Sequence, residues 1–286
     1  MRLNDFSKNI RVNDQRGRGG LPGGAGGKMG CGAVVIAIIG AVFFGIDPMT
    51  TLGTIEQVQN QTGSTTAQTG GRTVEESCTV NQYSRETCSA LSSLDETWAP
   101  LFAQANIEFQ QPTLNFYDGT GRSGCGAAQA AMGPFYCPTD QGIYIDTSFY
   151  DQLDQQLGAG GDFARAYVIG HEYGHHIQTL TGTSRWVRQM QQQNPRASNQ
   201  LQVRMELQAD CYAGVWAAKN PQLIERGDIE EGLTAASAIG DDALTQGRVS
   251  PDNFTHGTSQ QRMQWLQKGL NTGDEDQCDT FADIRQ

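Results

Sequence analysis

Positive charge is scarce in this sequence. Its 286 residues carry 20 Lys and Arg against 31 Asp and Glu, a formal balance of −11. Binding the phosphates of a nucleic acid needs a basic surface, so nucleic acid is excluded as a partner. No internal repeat is visible, which argues against solenoid and array architectures. Long apolar runs are also missing, with one exception. Residues 29–46 (MGCGAVVIAIIGAVFFGI) contain no charge. As a helix this run reaches roughly 27 Å, just enough for a hydrocarbon core of about 30 Å. No A-x-A-like cleavage site follows it, since the chain continues Asp47-Pro48-Met49-Thr50, and this argues against a removed leader. Cys31 stands near the start of the run rather than after it, which argues against a lipoprotein signal. No amphipathic stripe marks it as a core helix. The run is read as a single transmembrane anchor at 29–46.

The little positive charge present is concentrated at one end. Residues 1–28 hold Arg2, Lys8, Arg11, Arg16, Arg18 and Lys28 against Asp5 and Asp14, so a head of +4 leaves −15 for the remainder. This head is Gly-rich and offers no core, so it is read as disordered. Basic residues before an anchor stay in the cytoplasm, which places residues 1–28 inside. The remainder then lies in the periplasm or outside the cell. Six cysteines, Cys78, Cys88, Cys125, Cys137, Cys211 and Cys278, follow the anchor. An even set in an oxidising compartment suits disulfides, and at least one is expected, although free buried thiols are the plainer alternative and the pairing stays open.

Residues 47–74, rich in Thr, Gln and Gly, are read as a flexible linker. Residues 75–286 read as the folded domain, α+β in class, predominantly helical with a small sheet. The periodicity predicts a helix over 86–105 with Leu91, Leu94, Trp98, Leu101 and Phe102 as its apolar stripe. Strands are expected at 113–117 and 142–145. A further helix starts with Asp162 as N-cap and stops at Gly182. Others are expected over 199–219, from a capping box of Asp228 and Glu231 to near Gly240, and over 259–271.

The expected helix after Asp162 contains His171-Glu172-Tyr173-Gly174-His175, the pattern H-E-x-x-H. Histidines at i and i+4 lie about 40° apart around a helix, so both rings can reach one zinc ion. Glu172 is about 60° further round, placed to hold and deprotonate a water. A third ligand is required. No third histidine follows at metzincin spacing, because the chain continues His176-Ile177-Gln178-Thr179-Leu180-Thr181. The 199–219 helix instead offers Glu206 and Asp210, again at i and i+4. Glu206 is the expected third ligand, and Asp210 is expected to accept the free ring N–H of a ligand histidine. The plainer readings are a solvated histidine face and an exposed acidic face. Cys211 lies about 140° round from Glu206 and is expected to face elsewhere, with Cys278 as a candidate partner. His176 turns about 100° from His175 and reads as structural or solvent-facing. His256, in a loop before the last helix, is a candidate oxyanion donor or a surface residue; Tyr167 and Tyr144 are further candidates by residue type.

HEYGHHIQ (171–178), ELQADCYAGVW (206–216), GPFYCP (133–138) and FTHGTSQQR (254–262), behind a basic head and one apolar run, resemble the bacterial neutral zinc metallopeptidase family. The resemblance spans nearly the whole chain. It implies a zincin-like peptidase domain outside the cytoplasmic membrane and supports His171, His175 and Glu206 as zinc ligands, with Glu172 as general base. It also places His256 within the family pattern without giving it a role. The expected function is a membrane-anchored, zinc-dependent endopeptidase acting on peptides or proteins. The competing expectations are a non-catalytic envelope zinc-binding or chaperone-like module on the same fold, and a closed structural zinc site. The strand at 142–145 is expected to pair with an extended substrate.

Overall fold

The structure, a computed structural model, describes residues 1–17 and 71–284. Residues 18–70, with the expected anchor at 29–46 and most of the expected linker, lie outside the described residues. Among the described residues no helix is long and apolar enough to cross a membrane. The strands are β1 (Arg11–Asp14), β2 (Thr113–Phe116), β3 (Thr120–Ser123), β4 (Gly126–Gln129), β5 (Phe135–Cys137) and β6 (Gly142–Ile145). The helices are α1 (Val74–Cys78), α2 (Gln82–Gln104), α3 (Phe149–Gln155), α4 (Asp162–Leu180), α5 (Thr183–Gln193), α6 (Ser198–Lys219), α7 (Asp228–Ala238), α8 (Asp241–Leu244) and α9 (Ser259–Thr272). The class is α+β, with the helices predominant.

Helix ends follow local chemistry, with two corrections. α2 is capped by Asn81, whose side chain accepts from the Ser84 N–H at 2.8 Å. α9 opens with a reciprocal capping box between Thr258 and Gln261 and ends at Gly273, which has a φ of 58°. The expected caps Asp162 and Asp228 are instead first-turn residues, preceded by Gly161 and Gly227. Their carboxylates face the positive ends of α4 and α7. Glu231 does not close a capping box on its own helix. It accepts from the Phe163 N–H at 3.2 Å and so ties α7 to the start of α4.

The four-stranded sheet has the order β1-β2-β6-β5. β1–β2 and β2–β6 are parallel, and β6–β5 is antiparallel. β3 and β4 form a separate hairpin. Leu114, Phe116, Ile143 and Ile145 of the sheet are buried with Leu91, Leu94 and Trp98 of α2, Tyr167 and Ile169 of α4, and Val215 and Trp216 of α6. The Trp216 indole N–H donates to Ser93 Oγ at 3.0 Å, so this large ring is buried without an orphaned donor.

β1 corrects the reading of residues 1–28 as a disordered head. Residues 11–14 pair in register with 113–116 and form one edge of the central sheet. Arg16, counted as a solvated basic residue, is buried instead. It donates to both carboxylate oxygens of Asp14 (2.9 and 2.7 Å), to Ser84 Oγ (2.7 Å) and to the Ser77 carbonyl (2.6 Å), and it lies 4.3 Å from the centre of the Phe116 ring. Arg72, on the far side of residues 18–70, donates to the same Asp14 at 2.9 Å. At the other end of the segment, the Met1 α-amine lies 2.7 Å from Asp162 Oδ1 and 3.0 Å from Asp228 Oδ1. Basic composition suggested solvation, but Arg16 and Arg72 share the buried Asp14, and the Met1 amine meets Asp162 and Asp228 from distant parts of the chain.

The six cysteines of the domain form three disulfides, Cys78–Cys88, Cys125–Cys137 and Cys211–Cys278. The last ties α6 to the C-terminal segment, the partner expected for Cys211.

Arg16→Ala should lower stability by about 3 kcal/mol, because it removes one partner of a buried, hydrogen-bonded ion pair. The urea midpoint of the disulfide-intact protein measures this. A change of less than about 0.5 kcal/mol, typical of surface positions, would mean that residues 1–17 contribute nothing to the fold.

Candidate metal centre

α4 and α6 cross where each carries its chemistry. Gly174 makes the approach possible. A Cβ built on it falls 2.7 Å from Ala209 Cα, closer than any side chain tolerates. With hydrogen there instead, the His171 and His175 rings come within 4.9 Å of each other, edge to face, and both reach Glu206. His171 Nε2 lies 3.1 Å and His175 Nε2 3.5 Å from the same carboxylate oxygen, Glu206 Oε2.

The donor set fits zinc. Metal–ligand bonds of about 2.0–2.2 Å in a tetrahedron separate ligand atoms by roughly 3.3–3.5 Å. Tautomers give an independent argument. The Nδ1–H of His171 donates to Asp210 Oδ1 at 2.7 Å, and that of His175 donates to Gln178 Oε1 at 2.9 Å. In the neutral rings both Nε2 atoms are then acceptors aimed at a third acceptor. A cation resolves this clash, as does protonation of the imidazoles. In the metal-free protein burial opposes the charged form of His171, but the Asp210 charge and the bonds from Asp210 and Glu206 lift its pKa to about 9. Glu206, despite burial, is held well below the usual carboxylate range by His175 and His171.

Glu172 lies beside this set, 8 % exposed. Burial foremost raises its pKa, while the charges of His171 and His175 pull it back. Among the described residues its carboxylate has no hydrogen-bonding partner, which leaves it open to a water.

Around the set runs a fully buried polar network. Asp210 Oδ1 accepts from His171, from the Tyr167 hydroxyl (2.7 Å) and from Arg262 Nη2 (2.8 Å), and Oδ2 accepts from Arg262 Nε (2.9 Å). Burial would raise the Asp210 pKa, but Arg262 and His171 bring it to about 2. Asp210 therefore lies against the His171 ring nitrogen, and the Tyr167 hydroxyl is engaged by Asp210 rather than turned toward an open position. Tyr144 is likewise engaged, donating to Asp140 at 2.5 Å. His176 is wholly buried and structural. Its Nε2–H donates to the Gln110 carbonyl at 2.6 Å and its Nδ1 accepts from Tyr136, while burial lowers its pKa to about 4.

His256 stands apart from the ligand set, on the loop before α9. Asp241 Oδ2 accepts from the N–H groups of Thr255, His256 and Gly257 at 2.8, 2.7 and 3.0 Å. Asp241 Oδ1 lies 3.1 Å from His256 Nδ1, which fixes the ring with Nε2 outward. Gly257 packs against Val203 and Leu207, which flank Glu206 on α6. The loop therefore borders the helix that carries the third ligand.

Gln178 and Arg262 were missed as site residues. Gln178 follows His175 by three, a spacing that brings helical side chains together. Arg262 ends FTHGTSQQR, 52 residues from its partner Asp210, and no local pattern marks it. Gln178 also donates to the Met205 carbonyl (2.7 Å) and to Gln208 Oε1 (3.1 Å), so its orientation is set from α6. Gln178→Ala should weaken zinc binding by about tenfold, the low end for removal of a residue that orients a ligand. Competition with a chromophoric chelator measures this. Unchanged affinity would remove Gln178 from the site.

The family model described as "Putative neutral zinc metallopeptidase" matches residues 1–281. Uncharacterized protein YpfJ of Escherichia coli (strain K12) is 45 % identical over 294 residues, covering 99 % of each chain. Uncharacterized protein Rv2575 of Mycobacterium tuberculosis (strain H37Rv) is 42 % identical over 207 residues, covering 67 % of this chain and 68 % of that protein. No solved structure matches. With the match spanning the N-terminal strand, both helices that carry the candidate ligands and the His256 loop, the chain belongs to the neutral zinc metallopeptidase family.

Proposed function

We propose that the protein is a zinc-dependent endopeptidase, with the ion held by His171, His175 and Glu206. The observation that carries this is the convergence of two Nε2 lone pairs on one carboxylate oxygen, beside a buried glutamate with no hydrogen-bonding partner among the described residues. Zinc, when bound, supplies a Lewis acid that acidifies water and polarises a carbonyl. Glu172 accepts the proton of the attacking water on its carboxylate and delivers it to the leaving nitrogen. Asp210 and Gln178 hold the ligand rings with Nδ1 protonated. His256, oriented by Asp241 through Nδ1, presents Nε2 toward the developing oxyanion and donates to it in the imidazolium form, the one in which both ring nitrogens carry a proton.

The expected substrate strand is relocated. β6 has neighbours on both sides, so residues 142–145 offer no free edge. β5 is the outer strand on that side. It lies beside α4, where the Tyr136 hydroxyl meets His176 next to His175. An extended peptide docks along β5 with its scissile bond toward the metal.

Residues 1–17 and the peptidase domain lie in the same compartment, outside the cytoplasm. The pairing of β1 with β2 supports the shared compartment, and three disulfides support an oxidising one. Residues 29–46 then hold the protein at the membrane without separating the two parts. In a Cys31→Ser background, Asn9→Cys and Arg188→Cys should react alike with a membrane-impermeant maleimide on intact cells whose outer barrier is opened. Protection of Asn9→Cys alone would restore a single crossing between them.

For catalysis, zinc content and cleavage of a broad peptide library are compared for the full chain, Glu172→Gln and His171→Ala. One zinc per chain with cleavage by the unaltered protein alone, and loss of zinc in His171→Ala, is the expected outcome. Zinc bound without cleavage by any form would favour the non-catalytic module.

A further inference from the structure

We infer that Arg262 is a positioning residue of the metal centre, acting on His171 through Asp210. This rests on the zinc reading of the site. Arg262 enters from α9 and is 1 % exposed. α9 comes close because glycines face the contact from both sides. A Cβ on Gly214 would fall 2.3 Å from the Leu266 carbonyl oxygen, and one on Gly269 2.1 Å from that of Cys211. The guanidinium grips Asp210 with two bonds, Nε to Oδ2 at 2.9 Å and Nη2 to Oδ1 at 2.8 Å. Nη1 is anchored on the Ile239 carbonyl at 3.2 Å, and Nη2 also lies 3.2 Å from the Tyr167 hydroxyl and 3.2 Å from His171 Nδ1, whose proton is directed to Asp210.

The geometry gives this fork a specific task. Asp210 Oδ1 accepts from three donors: the ligand histidine, Tyr167 and Arg262. A carboxylate held by one oxygen alone rotates about its Cβ–Cγ bond. The second bond, to Oδ2, fixes its plane and therefore the direction in which Oδ1 receives the His171 Nδ1–H. The direction of that bond sets where Nε2 points. A lysine offers a point charge and no planar fork, so it balances the Asp210 charge without fixing the plane. The role therefore predicts a defect in the charge-conserving substitution.

The test measures zinc dissociation constants by chelator competition on the full chain, with circular dichroism and thermal melting of the metal-free forms. Arg262→Lys should keep the fold and bind zinc 10- to 100-fold more weakly. Asp210→Asn should weaken zinc similarly, and adding Arg262→Lys to it should cost less than threefold more, because the residue through which Arg262 acts is already altered. A purely structural pin between helices would lower the melting temperature of Arg262→Lys and leave its zinc affinity within twofold, which overturns the inference. Independent, multiplicative losses in the double variant overturn it as well. If Arg262→Lys does not fold, Asp210→Asn with Arg262→Gln removes both buried charges together. Its zinc affinity should match that of Asp210→Asn, and a further loss beyond threefold overturns the inference. An unaltered protein that binds no zinc would overturn the metal site itself; zinc binding with an unaffected Arg262→Lys overturns only the role of Arg262.

Discussion

The contact between Gly174 and Ala209 is the constraint on which the site depends. Helix pairs usually pack with axes 8–10 Å apart, separated by their side chains. Here one side chain is missing, and the backbones meet where a Cβ would lie 2.7 Å from Ala209 Cα. Glu206 and Asp210 stand on either side of Ala209, and His171 and His175 on either side of Gly174. Close approach at the centre therefore fixes the distances at both ends. Any larger residue at 174 would move His171 and His175 away from Glu206.

Bringing two carboxylates, two imidazoles and Glu172 into a buried space is costly unless each has a partner. The structure meets this cost with one cation and several neutral donors. Arg262 faces Asp210, Tyr167 donates to the same oxygen, and Gln202 donates to Glu206 Oε1 at 2.8 Å. The ring Nδ1 protons are directed to Asp210 and Gln178. Among the described residues, what remains without a donor is what the proposed chemistry uses: two Nε2 lone pairs and the Glu172 carboxylate. The same economy explains why α9 is drawn so tightly against α6, glycine against glycine. It delivers a guanidinium to the floor of the site from a distant part of the sequence.

The sheet and its N-terminal strand serve the site less directly. β1 extends the sheet at one edge, while β5 at the other lies beside α4. Asp14 gathers Arg16 and Arg72 from opposite sides of residues 18–70, so the two flanks of that segment meet at one buried carboxylate. Residues 1–17 of the basic head are thus a structural part of the domain they precede.

Local order was legible in the sequence. Periodicity located α2, and start and stop residues located α4, α6, α7 and α9, to within a few residues, because a buried helical face and a helix end each leave a local pattern along the chain. Spacing also singled out His171, Glu172, His175, Glu206 and Asp210, since ligands on one helix must be i and i+4 apart. What the sequence left open depends on partners that are distant along the chain. β1 is four residues in a Gly-rich, basic stretch, and only pairing with residues 113–116 makes it a strand. Tyr167 and Tyr144 offered hydroxyls of the right kind, but Asp210 and Asp140 had already engaged them. Arg262 carried no local signal, because its partner lies on another helix. Composition and period determined which helices form and which residues are candidates to bind a metal. The tertiary structure alone decided which groups are left unpaired to do so, because hydrogen-bond satisfaction in a buried site is settled by neighbours in space.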